Sequence, residues 1–466
     1  MKKILLLGVI ISLILNSCNI KKEISPEEAK DIAKEAYLFA YPMLYAYQLM
    51  YTQAINEGGK GYTAPINNFN HFSMRLNATH TFVVGPNNNT LYSLAWVDLN
   101  NEPLVLDVPI VEDDRFFVFQ IADIFTHNFA YIGSRTTGQD GGKYLLAGPN
   151  WQGSKPDGIK EVFQSEGQFL LIAGRIYIES DDEVPVVTAI QDKIDLQPLS
   201  TYLGKDAPNT SMEMDYYPSY NVNDTPSVKF FETFNFLLSQ LEPHESEKDL
   251  YERFSKIGIE AGGKFDTKSL RPEILSAVNE GITEAHKEIS EHSPKIGRKI
   301  NGWNNFGNSF GNRNQMQGRY LDRAAGAMSG IYGNSPEENS TFSAVFDEDG
   351  DVLDGSKHNY QLTLMPDQIP PVKGFWSITV YDMKNILFVP NSINRFSVWG
   401  GDKSLKYKDD GSLNLFIAKD SVGMSDGTNW LPAPDGKFAV VLRVYWPDQS
   451  IIDGSWDPTA IKKINK

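Results

Sequence analysis

The chain has 466 residues, of which 41% are hydrophobic and 22% charged, and its formal net charge is −16. This composition is typical of a globular protein with a real core, and the length suits two or three domains. The negative charge makes binding to nucleic acid unfavourable, because the phosphate contacts that dominate such binding would become repulsive. The sequence therefore predicts no nucleic-acid partner.

The first eighteen residues have the pattern of an export signal. Lys2 and Lys3 precede an apolar run, residues 4–15, that is too short to span a bilayer but has the length of a secretory signal. The following Leu-Asn-Ser-Cys, which ends at Cys18, resembles the lipobox of bacterial lipoproteins, in which the cysteine thiol receives a diacylglycerol. Cys18 is the only cysteine, so no disulfide within the chain can use it. We expect residues 1–17 to be removed and the protein to be lipid-anchored in the bacterial cell envelope, at the periplasmic or outer-membrane face; a plain signal peptide is the alternative.

A tether and a long helix are predicted for residues 18–66. Ser25 and Glu28 form a capping box, and Pro26 stands at the first helical position. Pro42 is expected either to kink the helix or to split it. The many Tyr and Phe residues of this helix are interpreted as packing residues.

The pattern changes twice more along the chain. Residues 67–200 carry short strand patterns broken by Gly, Pro and Asn, which is typical of an antiparallel sandwich or barrel. Residues 201–335 carry apolar residues at helical spacing, and the Asn- and Gly-rich stretch 301–315 within them is expected to be an ordered loop. Strand patterns return in residues 336–466. The predicted fold class is thus mainly β with helical segments, with a sandwich at each end and a helical middle region.

The two strand-rich regions share an order of features. Paired aromatic residues precede an aspartate in both, and an Arg-Ile/Val-Tyr triplet ends a later strand; one extra residue at Gly174 is expected to be absorbed by a β-bulge. Two related sandwiches are one interpretation, and chance similarity among short strands is the other. An aspartate and a later arginine, such as Asp123 and Arg135, are also expected to pair at a sandwich rim. The matched residues are Phe116, Phe117, Asp123, Arg175, Ile176 and Tyr177 in the first region, and Phe375, Trp376, Asp382, Arg443, Val444 and Tyr445 in the second.

Longer motifs resemble two known families. Residues 67–194 contain GPNNNTLYS, AWVDL, the D-x-x-T-x-N that begins at Asp123, and IGSRTTGQDGGKYLLAGPNWQG, and they resemble the DUF1254 family. Residues 340–464 contain PPVKGFWSITVYD, FVPNSINRFSV and NWLPAPDGKFAVVLRVYWP, and they resemble the DUF1214 family. The resemblance implies an N-terminal immunoglobulin-like sandwich, a helical region and a C-terminal jelly-roll domain, and it implies no assigned activity.

One position departs from the family pattern. The family commonly has N-x-D-T-x-Y-S where this chain has Asn87 to Ser93, with Asn89 in place of the aspartate. An amide does not exchange protons near neutral pH. If the aspartate were a catalytic acid, Asn89 would make this member inactive or differently employed.

Polar side chains of the first sandwich are the candidate ligand contacts. Three consecutive asparagines exceed what a turn needs, and amides beside Thr90 and Tyr92 suit the hydroxyl groups of a sugar or polyol; a simple turn is the alternative. The predicted ligand-binding residues are Asn87, Asn89, Thr90, Tyr92, Thr126, Asn128, Arg135 and Arg175.

Asp123 and His127 are the candidate catalytic residues, with His127 as a general base beside a carboxylate. A hydrogen-bonded structural pair is the alternative. The seven histidines show no spacing typical of a metal site, and the sequence contains neither a G-x-S-x-G elbow nor a P-loop. We therefore predict no metal and no cofactor.

Three functions fit these features. The first is an exported, lipid-anchored protein that binds or acts on a polyhydroxy, carbohydrate-like ligand by carboxylate acid/base chemistry, with Asp123 and Asp382 as acidic groups. The second is a non-catalytic envelope lipoprotein that binds a small-molecule, glycan or protein partner, and the third is a structural envelope protein. A deep pocket in which ionisable groups converge would separate the first function from the others.

Overall fold

A computed structural model of the protein describes residues 23–81, 84–112, 114–208, 216–220, 225–421 and 429–464. The predicted signal segment and Cys18 lie outside this part of the chain. Within it, helix makes up 28% and strand 27% of the structure, with several sheets and a helical middle region. The predicted fold class, mainly β with helical segments, is confirmed.

The first helix begins where the capping pattern predicts, because the Ser25 Oγ accepts a hydrogen bond of 3.1 Å from the backbone N–H of Glu28. It continues through Pro42 and passes into a π-helical turn, Tyr51–Ile55. None of the described helices has both the length and the apolar composition needed to cross a membrane. The helices are α1 Pro26–Met50, α2 Val184–Gln191, α3 Leu199–Tyr202, α4 Lys229–Leu238, α5 Lys248–Ser255, α6 Pro272–His292, α7 Arg313–Met316, α8 Tyr320–Gly330 and α9 Gln449–Asp453.

Two sheets form the first sandwich, with strand orders β1-β2-β8-β4-β5 and β7-β6-β3-β9. Its strands are β1 Asn70–His71, β2 Thr90–Asp98, β3 Leu104–Val108, β4 Phe117–Asp123, β5 Asn128–Gly133, β6 Gly142–Ala147, β7 Ile159–Gln164, β8 Phe169–Tyr177 and β9 Asp195–Pro198. Side chains alternate between the two faces of a strand, so Ile172 of β8 enters the sandwich core while Leu171 and Ala173 pack against the helices. The larger sheet is therefore covered on both faces.

The second sandwich has a seven-stranded sheet, β10-β11-β12-β19-β14-β15 with β16 beside β14, and a four-stranded sheet, β18-β17-β13-β20. Its strands are β10 Arg298–Ile300, β11 Trp303–Asn305, β12 Asn339–Ala344, β13 Asn359–Leu364, β14 Trp376–Asp382, β15 Leu387–Phe388, β16 Ser397–Trp399, β17 Leu413–Ala418, β18 Trp430–Pro432, β19 Phe438–Tyr445 and β20 Lys462–Ile464.

The stretch 301–315 is not only a loop, as the sequence predicted. β11 extends the large sheet by pairing with β12, and β10 pairs with β11 at its edge. Trp303 holds them there, because its ring lies in the second sandwich core and its Nε1 donates to the backbone oxygen of Thr459 at 2.8 Å. The predicted helical region thus gives two strands to the C-terminal sandwich.

The central strands of the two sandwiches pair in the same register. Val118 of β4 lies opposite Arg175 of β8, and Ser377 of β14 lies opposite Arg443 of β19. A third strand pairs in the same way in both sandwiches. Tyr92 of β2 lies opposite Arg175 of β8, and β12 is antiparallel to β19. Arg175 and Arg443 therefore occupy equivalent positions in the two sandwiches.

The predicted β-bulge at Gly174 is wrong. β8 pairs without interruption with both β2 and β4, and Leu170 lies opposite Asp123 just as Phe438 lies opposite Asp382. The extra residue of the first sandwich falls between Gly167 and Leu170, where it disturbs no pairing. The irregularity in this sheet is instead in the pairing of β4 with β5.

Aromatic rings join the two sandwiches directly. The ring of Phe375 stacks on Tyr445 with centroids 4.4 Å apart, and it contacts Tyr177 at 4.3 Å and Phe116 at 5.7 Å. Phe116, Phe375 and Tyr445 are buried in this contact. The sandwiches consequently meet along an apolar seam beside the ends of β8 and β19.

Candidate ligand-binding site

Four side chains point out of the two sandwich cores toward each other. Tyr92, Arg175, Arg443 and Tyr445 each have at least one chain neighbour in a sandwich core, so alternation along the strand turns them to the opposite face. Tyr92 and Arg175 belong to the first sandwich, and Arg443 and Tyr445 belong to the second. Their outward faces enclose two neighbouring cavities, which share Tyr92, Arg175 and Tyr332 as walls.

The larger cavity, of about 280 Å³, is mostly apolar. Its mouth includes Met74 and Val84, whose side chains are 52% and 74% exposed. Asn87, Thr90 and Gly85 bring polar groups to one side of it. The apolar walls come from α1, β2, β8 and the chain after α8, and include Leu49, Phe72, Leu94, Trp96, Leu171 and Ile331.

The smaller cavity, of about 160 Å³, is mostly polar. Asn334, Asn339 and Thr341 line it together with Arg443 and Tyr445. The Tyr332 hydroxyl and the Asn334 Oδ1 are buried and have no hydrogen-bond partner among the described residues. Buried polar atoms without a partner can form hydrogen bonds to a bound molecule.

Arg175 is held rigidly at the boundary between the cavities. Its Nη1 donates to the Gln120 Oε1 at 2.9 Å, and its guanidinium lies over the Tyr92 ring, 5.5 Å from the centroid. The Gln120 Nε2 in turn donates to the Asn128 Oδ1 at 2.6 Å and to the Gly333 oxygen at 3.1 Å. In the described part of the chain, Arg175 forms no ion pair with a carboxylate within 4 Å.

Arg443 approaches from the other sandwich. Its Nη2 donates to the Gly85 oxygen at 3.1 Å, and its guanidinium lies over the Tyr381 ring at 5.6 Å. Its Nη1 is buried and has no partner among the described residues. Burial alone would lower the pKa of Arg443, but the hydroxyl groups of Tyr381, Tyr445 and Tyr92 raise it, so the group remains charged.

Tyr92 is the ionisable group that both arginines affect. Burial alone would raise its pKa, but the guanidinium groups of Arg175 and Arg443, with side-chain hydrogen bonds to Thr90 and Asn87, hold the pKa below its usual value of 10.0. Burial instead raises the pKa of Tyr445, on the opposite wall. Of these two phenols, Tyr92 therefore releases its proton more readily than Tyr445.

The GPNNNT segment joins the two sandwiches. The Asn87 Nδ2 donates to the Tyr445 hydroxyl at 3.0 Å and to the Thr90 Oγ1 at 3.2 Å. The Ser397 Oγ donates to the Oδ1 of Asn89 at 3.0 Å, and Asn89 is fully buried. Asn87 and Thr90 thus line the larger cavity, whereas Asn89 fixes β16 behind it.

Asp123 and His127 do not line either cavity. The Asp123 Oδ1 accepts from the His127 backbone N–H at 2.9 Å, and its Oδ2 lies 3.4 Å from the His127 Nδ1. Thr126 between them has a φ of +69°, a tight-turn conformation that is rare for a β-branched residue. Burial lowers the pKa of His127, so it is neutral near pH 7. This geometry favours a structural turn, and the catalytic assignment stays a prediction.

Arg135 and Asn128 lie behind the walls of the two cavities and line neither of them. The Arg135 Nε lies 2.5 Å from the Glu338 Oε2. The sequence had predicted Asp123 as the partner of Arg135, and this prediction is wrong. The Asn128 Nδ2 donates to the Gly333 oxygen at 2.9 Å. Both residues position the chain after α8, whereas Thr126 lies in the turn already described.

Buried ion pairs surround the Asp123 turn. The Arg313 Nη1 lies 2.9 Å from the Glu247 Oε1, and its other guanidinium nitrogens bind Glu166. Arg323 donates to the Phe125 oxygen. These groups connect the first sandwich to α5, α7 and α8.

Other parts of the described chain are weaker candidates for a ligand site. A groove of about 760 Å³ between α1, α5 and α8 is wider, but exposed residues such as Glu27 and Glu28 line it, and Arg253 there is paired with Glu35. No group of three or more metal-ligating side chains occurs in the residues that the structure describes.

Sequence reasoning missed half of the site. Arg443, Tyr445, Tyr332 and Asn334 were not nominated, although the triplet that ends in Tyr445 was recognised as a match to the triplet that begins with Arg175. Because the paired strands share one register, that match was the signal that could have identified Arg443.

Comparisons with known proteins match two family models to the chain. Residues 66–198 match a family model described as "Protein of unknown function (DUF1254)", and residues 338–449 match one described as "Protein of unknown function (DUF1214)". No curated protein matches the chain. Among solved structures, the VPA0106 protein from Vibrio parahaemolyticus is 27% identical, with a TM-score of 0.76, and the alignment covers 94% of this chain and 100% of that one. An uncharacterized protein from Burkholderia cenocepacia is 9% identical, with a TM-score of 0.41 and coverage of 94% and 92%.

Proposed function

Since this chain contains a DUF1254 domain and a DUF1214 domain, neither with an assigned activity, we propose a function from the site alone: the protein binds a small organic molecule in the pocket between these domains. We further propose that it does so as an exported, lipid-anchored protein of the cell envelope. The observation that supports binding is the two-lobed pocket itself. Its larger lobe, about 280 Å³, is close to the lower end of the range of about 300–1,000 Å³ typical of ligand sites.

The position of the pocket also supports binding. Tyr92 and Arg175 come from one family domain, Arg443 and Tyr445 from the other, and Tyr332 from the chain that follows α8. Ligand sites occur preferentially at such domain interfaces, and a mostly apolar wall with a few converging polar groups is their usual chemistry.

The ligand class that the sequence suggested fits only part of this pocket. Hydroxyl and amide groups suited to a sugar line the smaller lobe, through Asn334, Asn339 and Thr341. Aliphatic and aromatic side chains dominate the larger lobe, which would leave most hydroxyls of a polyol without partners. The pocket therefore favours a ligand with a polar end and an apolar body over a fully hydroxylated one.

An enzyme acting at the same pocket is the second candidate. The observation in its favour is the lowered pKa of Tyr92, because perturbed pKa values concentrate at functional sites. In that case Tyr92, which borders both lobes, is a better acid/base than Asp123, which lines neither. Carboxylate chemistry by Asp123 would need a ligand to reach a side chain that is buried in the turn and only 4% exposed.

A ligand screen with a blocked variant tests binding. We expect the chain without residues 1–18 to gain thermal stability with one class of a small-molecule panel, by about 2.7 kcal/mol at a hundred times the dissociation constant. Ala173 forms part of the apolar wall, so Ala173→Phe should fill the lobe and abolish the shift. Ala173→Ser is the matched control and should retain it. A shift that survives Ala173→Phe would place the ligand elsewhere and reject the proposal.

Lipid anchoring has its own test. The full chain, expressed in a bacterium with a labelled fatty acid, should incorporate the label and partition into detergent. Cys18→Ala should do neither, because it removes the only thiol. Label incorporation into the Cys18→Ala protein would refute acylation at this residue.

A further inference from the structure

Resting on the function proposed above, we infer that the pocket binds an organic anion: a carboxylate whose head group lies between Arg175 and Arg443 and whose apolar body fills the larger lobe. The inference goes beyond the presence of a pocket, because it identifies the charge, the polar end and the apolar end of the ligand.

The first argument is charge. Two guanidinium groups border the smaller lobe, and neither forms an ion pair with a carboxylate of the described chain. Two other arginines are paired, since Arg135 binds Glu338 at 2.5 Å and Arg313 binds Glu247 at 2.9 Å, whereas the buried Arg323 has no ion pair among the described residues and donates to the Phe125 oxygen. Glu338 acts on Arg175 only at longer range and already belongs to Arg135. An enclosed positive charge without a counter-ion is costly, and a bound anion would remove that cost.

The second argument is the supply of hydrogen-bond donors. The Arg443 Nη1 is buried without a partner among the described residues, and so is the Tyr332 hydroxyl. Arg175 uses its Nη1 on the Gln120 Oε1 and, at 3.4 Å, on the Ala173 oxygen, which leaves the donors of its Nε and Nη2. Guanidinium and phenol donors that line one cavity match the two oxygens of a carboxylate.

The third argument is position. Arg175 and Arg443 hold equivalent register positions in the central strands of two sandwiches that face each other. Each guanidinium is held in place, Arg175 by Gln120 of its own sandwich, and Arg443 by the Tyr381 ring of its own sandwich and by the Gly85 oxygen of the first domain. The two charges therefore approach one space from opposite walls and need no rearrangement to share an anion.

The apolar end follows from the larger lobe. Trp96, Leu171 and Ile331 line its interior, while Met74 and Val84 are exposed at its mouth. Hydrocarbon that moves from water into such a lobe gains affinity by about fourfold per methylene group. A free inorganic anion or a sugar acid would not use this wall.

The experiment compares charged and neutral ligands of the same shape. The chain without residues 1–18 is titrated by calorimetry with hexanoate, octanoate and octanamide, and with inorganic phosphate as a competitor. We expect octanoate to bind at least tenfold tighter than octanamide and about tenfold or more tighter than hexanoate, since two methylene groups are added. Phosphate should compete weakly.

Variants locate the charge. Arg443→Gln and Arg175→Gln should each weaken octanoate at least tenfold and leave octanamide nearly unchanged. Arg298→Gln is the matched control, because Arg298 pairs with Asp457 away from the pocket, and it should bind octanoate as the parent does. If either pocket variant does not fold, the comparison of octanoate with octanamide on the parent chain still decides the question.

The outcomes separate the two proposals. Equal affinity for octanoate and octanamide, or no octanoate binding at all, overturns the anion inference. If neutral molecules nevertheless bind and Ala173→Phe abolishes their binding, the proposed function stands without it. Octanoate binding that Ala173→Phe leaves intact overturns both, because the ligand then lies outside the pocket.

Discussion

At Tyr92, two positive charges act on one phenol. The Arg175 guanidinium lies 5.5 Å from the ring centroid. Burial opposes ionisation of the Tyr92 hydroxyl, but Arg175, Arg443 and the hydrogen bonds to Thr90 and Asn87 together outweigh burial and lower the pKa. The folded protein thus holds a tyrosine whose pKa is lower than in the unfolded chain. Linkage turns this difference into a pH dependence of stability.

We expect Tyr92→Phe to lose stability relative to the parent as pH rises. A group with a depressed folded pKa stabilises the fold above its unfolded pKa, about 10 for tyrosine, and this contribution is lost as pH falls through the folded pKa. The difference in free energy of unfolding, measured by urea at several pH values, should therefore grow toward pH 10.

Tyr177→Phe is the control for this measurement. Burial raises the pKa of Tyr177, so its removal should produce no such growth over the same interval. A difference between Tyr92→Phe and the parent that stays constant with pH would contradict the assignment.

A pair of helices supports the first sandwich, and one glycine sets their distance. A Cβ at Gly281 of α6 would lie 2.3 Å from the Lys30 oxygen and 3.2 Å from the Ala33 Cβ of α1. The backbones therefore approach more closely than any side chain allows.

We expect Gly281→Ala to lower the free energy of unfolding by about 1–3 kcal/mol, as overpacking does, even though alanine favours a helix by about 1 kcal/mol over glycine. Gly330→Ala, at the end of α8, is the matched control, since nothing lies within 4 Å of its added Cβ. Chemical denaturation measures both. A neutral or stabilising Gly281→Ala would show that α1 and α6 move apart without cost.

The connection between elements also depends on Arg313. Arg313→Met would leave Glu247 buried without a partner, and we expect a loss of about 3–5 kcal/mol. Arg313→Met combined with Glu247→Gln should lose less, because the stranded charge is gone. Urea denaturation of both variants provides the comparison, and an equally large loss in the double variant would mean that packing rather than charge is responsible.

At the scale of the whole molecule, aromatic contacts around Phe375 couple the unfolding of the two sandwiches. Phe375 contacts Tyr445 and Tyr177 with ring centroids less than 4.5 Å apart. We expect Phe375→Ala to cost about 3–5 kcal/mol and to broaden or divide the thermal unfolding transition. Phe346→Ala is the control, because Phe346 is 44% exposed and its truncation should change stability by less than about 0.5 kcal/mol. A single sharp transition in Phe375→Ala would mean that the sandwiches are coupled elsewhere.

Local patterns made most of the fold predictable. Ser25 and Glu28 identify the start of α1 because capping depends on residues three apart, and strand alternation identifies β4 and β8 in the same way. β10 and β11 could not be predicted, since strands of three residues rich in Asn and Lys carry no period. Only the burial of Trp303 in a distant core explains them.

The site was less predictable than the fold. Tyr92 was predicted as part of the polar GPNNNTLYS segment and Arg175 as a positive charge for the ligand, but their partners Arg443 and Tyr445 come from a strand more than 250 residues later. Sequence reasoning paired Arg135 with Asp123, and the structure pairs it with Glu338, because proximity along the chain does not determine which charges meet at an interface.

The strands that line the pocket come from near both ends of the chain, so the pocket forms only after both have been synthesised. β2 is made early and β19 among the last strands, so a growing polypeptide has no complete cavity until synthesis is almost finished. A product cut short before β19 would lack Arg443 and Tyr445. A ligand that requires both Arg175 and Arg443 could therefore bind only after the chain has been synthesised through β19.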